Sequence, residues 1–228
     1  MLVDRAAGVP SLALLERRAP LRPVPEVSEL WAHQADDPVV LWEEWEAECG
    51  ERCEPPFWSI VWPGALAFVR ALADGTVELR DRALLDVGCG GGVAALAAVR
   101  AGARRVVAND IAPAALFVAG RNAAAHGLGL ELDGRDRLTG VAAGTGNGGG
   151  SFDVVLAADL FYQRSRAVGL LDGLRAWVRA GSEVLLADGG RPFAPAEGLE
   201  LLGEYDVPAH PWADGGFRRR VRLLRLRR

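Results

Sequence analysis

Leu84-Leu85-Asp86-Val87-Gly88-Cys89-Gly90-Gly91-Gly92 is the stretch that decides how this chain folds. Leu84 to Val87 suits a strand covered on both faces, and the glycines behind it accept the positive φ values and close ligand approach that a side chain forbids. Val93 to Ala101 then forms helix readily and stops at Gly102. The order is strand, glycine turn, helix. It sets the unsatisfied N–H groups of a helix start around a ligand.

The acid selects the ligand's charge. A dinucleotide fingerprint asks for G-x-G-x-x-G or A, but Val93 holds the sixth place and Asp86 would set a negative charge beside a pyrophosphate. A cationic ligand suits Asp86 better. D-x-G-x-G-x-G opening a βα unit resembles the class I methyltransferases, whose donor S-adenosylmethionine (SAM) carries a sulfonium and an ammonium and no phosphate.

With 228 residues the chain is long enough for one large α/β domain with an N-terminal extension. Pro10, Pro20, Pro23 and Pro25 make residues 1–30 read as a mobile or loosely docked leader. A single domain is expected over 31–228, with 31–75 as its lid and pocket segment. Hydrophobic content of 50% against 25% charged residues fits a soluble globular protein, and no apolar run reaches the length of a membrane span. Met1-Leu2-Val3-Asp4-Arg5 lacks the pattern of a signal peptide, so the expected location is the cytoplasm.

Cys49, Cys53 and Cys89 are too few, and odd in number, for a disulfide framework. Cys49-x-x-x-Cys53 lacks a second Cys/His pair at ligand spacing, so no metal is expected. All 26 basic residues are arginine. The missing lysine excludes Schiff-base, P-loop and lysine-base chemistry, and it also excludes methylation of the chain's own lysines. The arginine-rich tail from Arg218 reads as a strand with one solvated face and a one-residue register break between its Val221/Leu223 and Leu224/Leu226 pairs. With a net charge of −4 there is no global basic field, and no nucleic-acid partner is expected.

Along the chain, Asp36-Asp37-Pro38 opens an amphipathic helix in which Trp42 and Trp45 read as core. Pro55 to Gly64 crowds Phe57, Trp58 and Trp62 into an extended connector, which suits a pocket wall lining the substrate. Arg104 to Asp110 is the second strand, and Asp110 falls where a βαβ unit sets a carboxylate against ribose hydroxyls. A helix from Pro113 to His126 stops at Gly127. Leu128 to Leu132 is the third strand, with Asp133 or Asp136 where an adenine-contacting acid falls. Gly140 to Ser151 reads as a flexible glycine-rich loop.

Phe152 to Tyr162 is the fourth strand and its outlet, so Asp159, Phe161 and Tyr162 share the crevice of Asp86 and Asp110 at the strands' carboxyl ends. The acceptor is expected there. A helix over 165–180 and strands over 182–187, 199–207 and 217–226 complete seven. The expected fold is α/β and Rossmann-like, mostly parallel with the last strand antiparallel and helices on both faces.

Pro56 to Gly64, the Asp86 loop, Asn109-Asp110-Ile111, Asp159-Leu160-Phe161-Tyr162, Gly190-Arg191-Pro192 and Tyr205-Asp206-Val207-Pro208 together resemble the electron transfer flavoprotein β-subunit lysine methyltransferase family and its bacterial, nicotinamide N-methyltransferase-like relatives. The resemblance implies SAM as donor and a protein lysine as acceptor, with the electron transfer flavoprotein β-subunit as a candidate. It implies that Asp86, Gly88, Gly90 and Asp110 hold SAM, that Trp62 flanks it, and that Asp159 and Tyr162 line the acceptor channel. Asp159 is the acid expected to capture the acceptor ammonium. The rival readings are a small-molecule N- or O-methyltransferase and a SAM-binding module without turnover.

Overall fold

The apolar runs pair as one seven-stranded sheet. In the computed structural model, which describes residues 8–139 and 152–227, its strands are β3 (Ala83–Val87), β4 (Arg105–Asn109), β5 (Glu131–Asp133), β6 (Val154–Ala158), β7 (Glu183–Asp188), β8 (Leu199–Pro208) and β9 (Arg218–Leu226). The spatial order is β5-β4-β3-β6-β7-β9-β8. β3 to β7 run parallel, while β9 is antiparallel to both of its neighbours. The strand order reverses beside β3, between β4 and β6, so the crevice at their carboxyl ends is the position where open α/β sheets bind ligands.

The helices cover both faces as their sequences require. α3 (Pro63–Ala73) and α4 (Val93–Arg100) bury Leu66, Phe68, Ala95 and Leu96 on one side; α6 (Arg164–Arg179) buries Leu174 and Trp177 on the other. α5 (Pro113–Ala125) starts at its proline and closes on Gly127, at φ +62°; the N–H groups of Gly127 and Leu128 bind Ala124 O and Ala123 O. That closure consumes Leu128, so the third strand starts at Glu131 rather than at Leu128. The expected register break lies opposite Leu223 and Leu224, with the extra residue carried by β8 between Leu201 and Gly203. The glycine-rich loop 140–151 falls outside the described residues.

The expected leader is not loose over residues 8–30. Ser11 caps α1 (Leu12–Arg18), which buries Leu14 and Leu15 against Leu41 and Trp45 of α2 (Pro38–Cys49). β1 (Leu21–Val24) and β2 (Val27–His33) form an antiparallel hairpin. Its prolines serve a two-stranded edge and its turn, both places where a missing N–H costs nothing. As expected, Asp37 caps α2, and Trp45 is core. Buried Asn122 ties the hairpin inward: it accepts from His33 N at 2.8 Å and donates to Gly91 O at 2.8 Å. The N-terminal segment is thereby part of the wall behind the glycine turn.

Candidate active site

Gly88, Gly90 and Gly92 have φ of +67°, +53° and +77°, so the turn from β3 into α4 needs glycine at all three. Neighbours enforce the same choice. A Cβ on Gly88 would meet Leu160 Cδ2 at 2.3 Å, and one on Gly91 would meet Trp58 O at 2.9 Å. The main chain of Trp58 therefore lies against the turn, while its ring is buried edge-on to Trp45 with centroids 5.8 Å apart. Trp58 is a core residue, and the expected contact of its ring with substrate is not the observed arrangement. The same holds for Phe161, which is buried in the cluster of Leu174 and Trp177.

Two acids meet beside the turn. Asp86 is buried at the end of β3; it accepts from Ala95 N in the first turn of α4, and its Oδ2 has no hydrogen-bond partner. Burial and then the charge of Asp110 push its carboxyl up to about 7 from 3.8. Asp110, following β4, accepts from Gly90 N at 3.0 Å and from Ala112 N at 3.0 Å. Burial raises its proton affinity too, against the pull of those N–H groups. A buried acceptor without a donor, facing a second carboxylate across a glycine turn, is the electrostatic complement of a cation with hydroxyls attached.

The second pair of acids, Asp133 and Asp136, divides in role. Asp133 turns inward: burial alone would raise its carboxyl, but Arg135 at 2.8 Å and Arg137 hold it down to about 2. Asp136 is exposed and caps its own loop through Leu138 N, at 3.0 Å, and Thr139 N, at 2.8 Å. Of the two, only Asp136 keeps a solvent-facing carboxylate near the outlet of β5.

On the other side of the crevice, Asp159 occupies a left-handed conformation at φ +53°, unusual for a residue with a side chain. Its carboxylate is 4% exposed and already engaged. Oδ2 accepts from Gly64 N at 2.6 Å; Oδ1 accepts from Gly189 N at 3.2 Å and Arg191 Nε at 2.7 Å. The acid thus closes the N-terminus of α3 and the outlet of β7, and the expected capture of an ammonium by this carboxylate is not what the geometry offers. Gly64 is required because a Cβ there would meet both Ala187 O and Asp159 Oδ2 at 2.7 Å.

The aromatic groups stand together nearby. Arg191 lies over the Trp62 ring at 5.0 Å; Trp62 Nε1 donates to Phe57 O at 2.8 Å. Phe57 meets Trp62 and Tyr162 edge-on at 5.9 and 5.5 Å, and Tyr162 remains 42% exposed. Trp62 therefore stands in one cluster with Arg191, Phe57 and Tyr162, and Tyr162 in turn lies within the field of Asp110. Leu160, Asn122 and the role of Arg191 escaped the sequence reading. Arg191 left a signal there as part of Gly190-Arg191-Pro192, and Leu160 as part of Asp159-Leu160-Phe161-Tyr162; Asn122 left none.

Residues 69–160 match the family model of the ribosomal protein L11 methyltransferase (PrmA). A solved magnesium protoporphyrin IX methyltransferase from Synechocystis PCC 6803 superposes with a TM-score of 0.50 at 18% identity, covering 71% of this chain and 77% of the other. The fold is that of the class I methyltransferases. The electron transfer flavoprotein β-subunit lysine methyltransferase of Mus musculus is 35% identical over 162 residues, covering 67% of this chain and 60% of the relative. Its counterpart in Xenopus laevis is 40% identical over 138 residues, covering 60% and 53%. The resemblance read from the motifs is thus present in overall sequence, and it extends to vertebrate relatives. The chain spans between about half and three-fifths of the length of these relatives.

Proposed function

We propose that this chain is a SAM-dependent methyltransferase acting on the side-chain amine of a protein lysine. The observation that carries the donor half is the pair Asp86 and Asp110 at the glycine turn, one of them with a buried oxygen lacking any donor. Asp86 would take the donor's ammonium, whose positive charge offsets the cost of ionising a buried acid. Asp110 would take the ribose hydroxyls on the second lone pairs of its oxygens, and Gly88 and Gly90 let the main chain approach. Asp136 is the remaining candidate for the adenine edge.

Bound there, SAM supplies an electrophilic sulfonium methyl. The chain's own part is to aim the acceptor and keep water out, and the wall of Phe57, Trp62 and Tyr162 supplies that surface. A lysine with a reference pKa near 10.4 is neutral in only about one molecule in 10³ at pH 7.4, a handicap of about 4 kcal/mol. Methylation is therefore expected to rise steeply between pH 7 and 9. The names of the vertebrate relatives support a protein lysine as acceptor, with the electron transfer flavoprotein β-subunit as the first candidate.

The test is incubation of the pure chain with radiolabelled SAM and a host lysate, followed by counting protein and small-molecule fractions separately. Because the chain has no lysine, label on lysine cannot come from the enzyme itself. One labelled protein band that disappears with Asp86→Asn supports the proposal. Label confined to the filtrate transfers the activity to a metabolite acceptor.

A further inference from the structure

Asp159 is the acid at the outlet of β6, and its carboxylate is committed to three N–H donors, one of them from a guanidinium that also covers Trp62. We propose that Arg191 is a positioning residue for the acceptor: it withholds Asp159 from the incoming amine and holds Trp62 in register with Phe57 and Tyr162. The inference rests on the methyltransferase reading above and adds how the acceptor side handles charge.

The argument is one of geometry and then of electrostatics. Arg191 is 11% exposed, and its Nε binds Asp159 Oδ1 at 2.7 Å while its Cζ lies 5.0 Å from the Trp62 ring centroid. A planar, delocalised cation does both tasks at once, which a lysine ammonium would not. The loop that carries it is fixed independently. Asp188 accepts from Gly190 N at 3.2 Å and Arg191 N at 3.0 Å, and Phe193 N donates to Phe161 O at 3.2 Å. Trp62 is held at its other end by Phe57 O, so the contacts run from Asp159 through Arg191, Trp62 and Phe57 to Tyr162.

An unpaired carboxylate beside a lysine favours the ammonium, the form that cannot accept a methyl group. With Arg191 in place, the amine meets aromatic faces and a neutralised acid instead, and loses its proton more readily. Among the described residues, the other charged groups around the path include Asp188, paired with Arg222 at 3.5 Å; Arg219, which donates to Gly189 O at 2.6 Å; and Asp110, Glu54 and Arg166, whose charges act on Tyr162.

Arg191→Met, Arg191→Lys and the double variant Arg191→Met/Asp159→Asn test this on the host protein that takes label in the experiment above, with SAM affinity measured by calorimetry. Arg191→Met is expected to lower kcat at pH 7.5 at least tenfold, to leave the SAM Kd within about twofold, and to move the rise of kcat with pH upward by about one unit. Arg191→Lys keeps the charge and loses the guanidinium contact over Trp62, so its pH profile stays at the wild-type position while kcat falls. Adding Asp159→Asn to Arg191→Met removes the stranded carboxylate and returns the pH profile to its original position. A wild-type pH profile in Arg191→Met, or an unmoved profile on adding Asp159→Asn, overturns the inference while leaving the methyltransferase intact. A wild-type chain that binds SAM yet labels no protein overturns the proposed function instead.

Discussion

The two halves of the crevice use the same residue type in opposite electrostatic states. At the ends of β3 and β4, Asp86 and Asp110 face each other, both with raised proton affinity, and one oxygen has no donor. At the ends of β6 and β7, Asp159 and Asp188 are each buried and each closed by main-chain N–H groups and an arginine. The first pair is incomplete without a cation. The second is complete, and its acids hold the protein together rather than await a ligand. A carboxylate at a strand's carboxyl end is thus no sufficient sign of a binding group; what it already accepts decides.

Gly64→Ala tests the completed half hardest. On helix propensity alone, alanine in α3 should gain up to about 1 kcal/mol over glycine. Here the added Cβ would sit 2.7 Å from both Ala187 O and Asp159 Oδ2, so α3 or the Asp159 turn must move. The expected result is a loss of about 3 kcal/mol or more in urea unfolding, with methyl transfer falling to background. A stabilised variant would mean that the Asp159 closure is soft, and the contrast between the halves would break.

Asp86→Asn probes the incomplete half, with opposite signs for stability and binding. A carboxyl raised in the folded state from 3.8 to about 7 contributes stability that is full below pH 4 and is lost as pH rises through 7. At pH 8 the buried charge costs the free protein at most about 4 kcal/mol. Asparagine does not titrate, so the variant should melt higher than wild type at pH 8 and show less loss of stability between pH 5 and 8. Its SAM affinity should nevertheless fall roughly a hundredfold, because a charge-assisted bond to the ammonium is gone. In the wild type, SAM should bind more tightly at pH 8 than at pH 6, by about tenfold in calorimetry.

Asn122→Ala sharpens the comparison from behind the turn. It removes buried bonds to His33 N and Gly91 O, and each orphaned group carries a penalty of about 1–3 kcal/mol. The thermal midpoint should drop, and SAM affinity should weaken a few-fold through Gly91. The acceptor KM should stay unchanged, since no contact of Asn122 reaches the aromatic wall.

Local chemistry explains which parts were legible in the sequence. The seven strands, the glycine turn and the positions of Asp86 and Asp110 follow from apolar runs, glycines and one βαβ spacing, all of them short-range signals. Residues whose role depends on contacts distant in sequence were not legible. Trp58 and Phe161 read as wall residues because aromatics next to a crevice bury or line it equally well, and only packing separates the two outcomes. Asp159 read as open because Gly64, Gly189 and Arg191 reach it from elsewhere in the chain. The N-terminal prolines read as a mobile or loosely docked leader, although an edge strand and a turn accept them as well.

Tyr162→Phe should have the smallest effect, and the small size is the point. The Tyr162 ring meets Phe57 edge-on at 5.5 Å, whereas its hydroxyl forms no hydrogen bond among the described residues. If the acceptor is received by an aromatic surface, removing the oxygen keeps that surface, and kcat/KM should stay within about threefold of wild type. Tyr162→Ala deletes the ring and one contact of the wall, so the acceptor KM should rise about tenfold at unchanged SAM affinity. Equal losses in the two variants would assign the work to the hydroxyl and make Tyr162 a proton-handling group. The acceptor half would then resemble the donor half, with a polar atom left waiting for its ligand.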